Sequence, residues 1–145
     1  MSRKRNSKWY KTPYQYADDA ARSQIERNRE KMADFTKEYA ETEEGKAEIR
    51  SLFNVIVELA FQFQVNFEDV IDYIEWLYIN DYDDDAIALA LRALKVVNEM
   101  THPRRSTLAR LCNCIEDVVS EQYGSEETEE IMEQLLMIRV AYDLT

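Results

Sequence analysis

Apolar residues are most concentrated between Ile49 and Val65. Between Leu52 and Val65 the only polar side chains are Asn54, Glu58, Gln62 and Gln64, and the first three recur at intervals of four. On a helix, positions four residues apart form one narrow stripe, and a helix that is apolar around most of its circumference is normally buried. The pattern therefore predicts a core helix that begins at about Lys46, after a break at Gly45.

Four later segments also place apolar residues three and four positions apart, which is typical of amphipathic helices. They cover residues 67–79, 84–100 and 106–123, followed by a final helix after Ser125. For the final helix, the sequence predicts an apolar set at Ile131, Met132, Leu135, Leu136, Ile138, Val140 and Ala141.

A long first helix is predicted over residues 13–42, because Thr12-Pro13 is a typical helix start. Its apolar stripe is thin and passes through one polar position, Asn28, in the series Ala21, Ile25, Asn28, Met32, Phe35 and Tyr39. This spacing resembles a coiled-coil seam. Two interpretations stay open: the helix lies across its own bundle, or it projects and pairs with a helix of a partner or of a second copy.

Glycine and proline are scarce, with two of each in 145 residues, which argues against folds built from many tight turns. The fold class predicted is all-α: a single-domain bundle of five to six helices. Residues 67–82 align with 108–123 at an offset of 41, so two stacked helix pairs beside the long N-terminal helix are a further possibility. The predicted organisation is a basic extended arm, 1–12, followed by an acidic helical domain, 13–145, whose helical core spans 46–145.

Charge divides the chain at the same boundary. The arm holds five of the 18 basic residues and none of the 29 acidic ones, so it carries +5 while residues 13–145 carry −16. An acidic body repels nucleic acid and anionic membrane, whereas a basic arm attracts them. Nucleic-acid contact is therefore expected only through residues 1–12, and no membrane association is expected.

Three sets of residues are candidates for partner binding. The first is the arm, where Arg3, Lys4 and Arg5 could contact phosphates and Trp9 and Tyr10 could stack on bases; alternatively, the arm is a solubilising tail. The second is Met32, Phe35 and Tyr39 on the first helix. The third is the pair Tyr73 and Trp76, which is either an exposed interface anchor or is covered by the last helix.

Two acidic clusters are prominent, one at Asp81, Asp83, Asp84 and Asp85 and one at Glu126, Glu127, Glu129 and Glu130. Both occur where helices are predicted to start, and negative charge is favourable there. Asp83 or Asp84 is expected to cap its helix. The first cluster resembles the start of a calcium loop, but Ala86 and Arg92 stand at the positions that require glycine and glutamate, so no metal site is predicted.

Catalysis has little basis in these residues. The chain has one histidine, His102, and lacks a nucleophile elbow and a glycine-rich phosphate loop. No cofactor is predicted. Cys112 and Cys114 are expected to be free thiols, because residues two apart on a helix point about 160° from each other and cannot form a disulfide. Both are expected to be small buried or half-buried apolar side chains. With no apolar signal segment in the first 25 residues, these thiols suggest a reducing, cytoplasmic compartment.

Three functions fit this reading. The first is a non-enzymatic helical protein-interaction module, such as an adaptor, regulator or inhibitor. The second is an acidic mimic of nucleic acid that inhibits a DNA- or RNA-binding enzyme. The third is a nucleic-acid-associated or virion accessory protein of the phage type that uses the basic arm.

Overall fold

The computed structural model describes residues 13–100, 103–120 and 126–144. All regular structure in these ranges is α-helical, which confirms the predicted fold class. Seven helices are present in the described ranges: α1 (Pro13–Ala33), α2 (Lys37–Ala40), α3 (Glu43–Phe63), α4 (Phe67–Ile79), α5 (Asp83–Glu99), α6 (Arg105–Val119) and α7 (Glu126–Ala141). The number of helices is larger than the predicted five to six because the predicted first helix is divided into α1 and α2.

The chain forms two compact units, Met1–Asn66 and Phe67–Thr145. Helices α1–α3 belong to the first unit and α4–α7 to the second. The expectation that they form a single domain stays a prediction, and each unit is considered separately below.

In the first unit, α1 lies along α3. Ala21 and Ile25 are buried, and so is Asn28, the polar position of the predicted seam. The Asn28 Nδ2 donates a hydrogen bond of 3.2 Å to the carbonyl of Leu52 in α3, while its Oδ1 accepts one of 2.8 Å from Gln24. The apolar stripe of α1 therefore packs on α3 of the same chain. Asn28 can be buried in this contact because both ends of its amide have hydrogen-bond partners.

The prediction of one helix over 13–42 is wrong between Ala33 and Glu43. Thr36 has an extended backbone, and its Oγ1 accepts a hydrogen bond from the backbone N–H of Tyr39, so it caps the short α2. Thr42 caps α3 in the same way, because its Oγ1 accepts a hydrogen bond of 2.9 Å from the backbone N–H of Gly45. A threonine oxygen that accepts a hydrogen bond from the first N–H groups of a helix favours a helix start at that position. Thr36 and Thr42 therefore each begin a new helix.

Gly45 was predicted to end a helix, but it lies inside the first turns of α3 and is buried. A Cβ atom at this position would collide with the carbonyl oxygen of Tyr39 at the end of α2. Glycine is therefore required here by the close approach of another backbone segment rather than as a break in the helix.

Helix α3 buries one broad face rather than nearly its whole circumference. Its inward side chains are Ile49, Phe53, Ile56, Val57, Ala60 and Phe61. Asn54, Glu58 and Gln62 are exposed as expected, but Val55 is also 45% exposed. The solvent side is therefore wider than the polar stripe in the sequence suggests.

In the second unit, α5 and α6 pack on each other, and each of them also packs on α4 and α7. These two helices are therefore the centre of the unit. The arrangement as two stacked helix pairs, α4–α5 and α6–α7, stays a prediction. The deepest side chains of the core are Val70, Ile71, Ile74, Leu77, Leu94, Leu108, Leu111, Ile115, Ile131 and Leu135.

Candidate functional site

The basic arm and its candidate residues lie outside the described residues. This applies to Arg3, Lys4, Arg5, Trp9 and Tyr10. Their contact with nucleic acid or protein therefore stays a prediction.

The three candidates on the predicted first helix are drawn into the first unit. Met32, Phe35 and Tyr39 are each half-buried around the α1–α2 turn. The rings of Phe35 and Tyr39 meet edge to face at 5.2 Å, and the Tyr39 hydroxyl donates a hydrogen bond of 2.6 Å to Glu48 in α3. This hydrogen bond to a carboxylate raises the pKa of Tyr39. Tyr39 thus links α2 to α3, and Phe35 packs on its ring. Binding of a partner by Met32, Phe35 and Tyr39 stays a prediction.

Tyr73 and Trp76 do not form an exposed pair. Tyr73 is only 4% exposed, because on α4 it follows Val70 and precedes Leu77 at the edge of the buried face. Trp76 is half-buried, and its ring stacks on Tyr82 with centroids 5.8 Å apart. The Tyr73 ring lies 6.2 Å from that of Trp76. The prediction of an exposed anchor is therefore wrong for Tyr73.

The acidic clusters lie at helix starts. Asp83, Asp84 and Asp85 form the first turn of α5, and the preceding Asp81 has a left-handed backbone with φ 65°. The N-cap of α5 is Tyr82 and not Asp83 or Asp84, so the predicted cap is off by one or two residues. Carboxylates in a first turn are stabilised by the helix dipole without a direct cap.

The second acidic cluster opens α7. Glu126, Glu127 and Glu129 occupy its first turn and, like Glu130, are exposed. Among the residues that the structure describes, no three histidine, cysteine, aspartate or glutamate side chains are grouped closely enough to hold a metal. His102 lies outside that range.

Helix α7 has two apolar faces. Ile131, Leu135 and Ile138 are at most 3% exposed and pack into the second unit. The other face, called the outer face of α7 below, consists of Met132 (42% exposed), Leu136 (63%), Met137 (68%) and Val140 (70%). Positions 132, 136 and 140 follow one another at one turn of the helix, and Met137 is adjacent to Leu136. The apolar set predicted for this helix did not distinguish buried from exposed positions, and the structure divides it between the two faces.

The orientation of α7 is fixed by polar contacts with α6 beside its buried face. Arg139 is half-buried and forms an ion pair with Glu116 of α6, and its Nη2 donates to Asn113 Oδ1 at 3.3 Å. Arg105 at the start of α6 donates through Nε to the carbonyl of Tyr142 at 3.1 Å and through Nη2 to that of Asp143 at 2.7 Å. These contacts hold both the helix and the residues that follow it against α6, so the apolar residues of the outer face stay in solvent.

A shallow cleft of about 320 Å³ lies between α4 and α6. Its lining includes Tyr78, Ile79, Arg110, Cys114 and Val118. Arg110 donates to Asp72 at 2.8 Å, which raises its pKa and engages its charge within the unit. Burial raises the pKa of the Cys114 thiol to about 12, so the thiolate that would act as a nucleophile or ligand is strongly disfavoured. Cys112 and Cys114 are both free and buried, as predicted.

The sequence carried one signal of the outer face. A helix facing a core on one side needs about half of its positions to be apolar, and α7 has more than that between Ile131 and Ala141. The surplus indicates a second apolar surface, although it does not say which set is buried.

No helix among the described residues combines the length and the apolar character that crossing a bilayer requires. Comparisons with protein-family models, with characterised proteins and with solved structures found no match to this chain.

Proposed function

We propose that this chain is a non-enzymatic, helical protein-interaction module that binds its partner through the outer face of α7. The observation that carries the proposal is the exposure of Leu136, Met137 and Val140 on a helix whose opposite side is fully packed. Contiguous exposed apolar surface is rare on soluble monomers beyond a few hundred Å² and often marks a binding site.

The composition of the face also favours docking. Methionine is flexible and polarisable, so the pair Met132 and Met137 can adapt to the side chains of a partner. Apolar positions one turn apart on an exposed helix are the arrangement used when one helix lays its apolar side on another.

The acidic-mimic function receives less support. Both acidic clusters fall in the opening turns of helices, where the helix dipole accounts for negative charge without a partner. The outer face of α7 has no such structural reason to be apolar, which is why we prefer docking to mimicry.

The test is affinity capture from the source cells with the tagged full chain. It compares the wild type with Leu136→Glu, and it uses Ala88→Glu as the matched control, because Ala88 is exposed on α5 of the same unit. Each capture is run at low and high salt, with and without nuclease. Circular dichroism of both variants establishes that they are folded.

We expect a protein that survives nuclease and high salt, is retained by Ala88→Glu and is lost by Leu136→Glu. Loss of every partner on nuclease treatment would contradict docking and direct attention to the basic arm. A partner released by salt alone, and lost when Asp83, Asp84 and Asp85 are neutralised, would favour the acidic mimic.

A further inference from the structure

The outer face of α7 continues into acidic residues toward the N-terminus of the helix. Glu129 and Glu133 precede Met132 and Leu136 by three residues each, so on a helix of 3.6 residues per turn all four share one stripe with Val140. Glu126 lies one turn before Glu129. Along the stripe, the acidic residues end at Glu133, and the positions that follow, Leu136 and Val140, are apolar.

Apart from the dipole at its first turn, the helix has little to balance this charge. α7 contains five glutamates and one basic residue, Arg139, which is engaged with Glu116 of α6. Within the described part of the chain, Glu126, Glu129 and Glu133 form no ion pair. A partner that covers the apolar positions therefore meets exposed carboxylates at its rim, and positive charge on that partner lowers the electrostatic energy of the complex.

A second copy of this chain suits the face poorly. Residues 13–145 carry a net charge of −16, so a second copy brings a body of the same sign to an acidic face, and like charges in an interface are unfavourable. Nucleic acid and anionic membrane are repelled by the same carboxylates.

From this arrangement we propose that the outer face of α7 and its acidic extension bind a basic amphipathic helix of another protein. The proposal rests on the docking function above and specifies the chemistry of the partner. Apolar side chains of the partner pack on Leu136, Met137 and Val140, and lysine or arginine side chains at one end of its helix pair with Glu129 and Glu133. The order of acidic and apolar positions along the stripe also sets the direction of the bound helix.

The experiment measures fluorescence anisotropy of two labelled synthetic peptides, each of about 18 residues with leucines at helical spacing. One peptide carries lysines at one end, and the other carries glutamine in their place. Both are titrated with the full-length protein at low and high salt. The protein variants are Leu136→Gln, the double variant Glu129→Gln with Glu133→Gln, and the control Ala88→Gln.

We expect the wild type and the control to bind the basic peptide more tightly than the neutral one, and Leu136→Gln to bind neither. The double glutamine variant should bind the basic peptide about three- to thirtyfold more weakly, as expected for two rim ion pairs. Binding of the basic peptide by this double variant should also depend much less on salt, because the ion pairs that salt screens have been removed.

Three results would overturn the proposal, and they differ in what they say about docking itself. Equal binding of both peptides would mean that the partner is not selected by charge, while docking at this face stands. A wild-type dimer that Leu136→Gln abolishes, in sedimentation at rising concentration, would identify a second copy as the occupant. No binding of either peptide, together with unchanged capture by Leu136→Glu, would remove the docking function as well.

Discussion

Leu135 and Leu136 are a matched pair for testing the geometry of α7. They are neighbours of the same residue type on one helix, but Leu135 is 1% exposed and Leu136 is 63% exposed. Each is replaced by alanine in a separate variant. The two substitutions remove the same atoms from the same helix, so any difference in stability reports which side chain the fold uses.

The expected effects differ in size. Removing a fully buried leucine side chain costs about 2–5 kcal/mol of unfolding free energy, because transfer energy is lost and a cavity remains. Leu136 buries only about a third of its surface in the fold. Full burial of a leucine side chain contributes about 1.5–3 kcal/mol, so removing the Leu136 side chain should cost about 1 kcal/mol or less. The greater helix propensity of alanine offsets a few tenths of this. Leu135→Ala should therefore be less stable than Leu136→Ala by about 2 kcal/mol.

The assay is urea unfolding followed by tryptophan fluorescence and far-ultraviolet circular dichroism. Trp76 lies in the second unit with α7, so a Trp9→Phe background leaves fluorescence as a probe of that unit. In thermal unfolding the same gap corresponds to about 4–8 °C for each kcal/mol in a unit of this size. Equal destabilisation by the two substitutions would refute the reasoning, because it would mean that Leu136 is also packed in the fold.

Three further predictions concern other parts of the chain. Gly45→Ala should lower the thermal midpoint although alanine usually favours a helix, because the new methyl group collides with the Tyr39 carbonyl; such overpacking costs about 1–3 kcal/mol. Asn28→Ala should lower the free energy of unfolding in urea by about 0.5–1.5 kcal/mol, because the hydrogen bond to Leu52 is lost; an unchanged midpoint would contradict this. Burial moves the pKa of Cys114 from 9.0 to about 12, so the folded thiol keeps its proton where the unfolded one has lost it. Stability should therefore fall as pH rises from 9 toward 12, by at most about 1.4 kcal/mol per pH unit from this group, and Cys114→Ala should show a shallower fall.

The class of fold was readable from the sequence because every helix carries its own local signal. Apolar spacing of three and four residues predicted α4–α7 to within a few residues at the ends that the structure describes. The scarcity of glycine and proline left no alternative to helices. Cys112 and Cys114 were expected to be buried or half-buried, and both are buried.

The break between α1 and α2 was missed because the apolar stripe continues across it. Met32, Phe35 and Tyr39 keep helical spacing, although a cap at Thr36 starts a new helix between them. At Gly45 the opposite error occurred, because a break was predicted where the structure has a continuous helix. The low helix propensity of glycine is worth about 1 kcal/mol, which the cap at Thr42 and the packing of α3 outweigh.

Burial could not be assigned where a helix has more apolar residues than one face can hold. On α7, Leu135 and Leu136 are equivalent by composition and differ only through contacts with α5 and α6. The burial of Tyr73 could not be predicted for the same reason, because a side chain at the edge of a helix face is buried or exposed according to the helices that pack beside it. The candidate docking face is therefore a property of tertiary packing.

The most direct test of the docking claim is site-specific photocrosslinking in extracts of the source cells. A photoreactive amino acid is placed at position 136 of the full chain in one protein and at position 88 in another, and the products are identified by mass spectrometry. We predict a distinct protein crosslinked from 136 and not from 88, at a site within a basic amphipathic segment. Crosslinking from 136 that yields no product, or the same products as from 88, would contradict it.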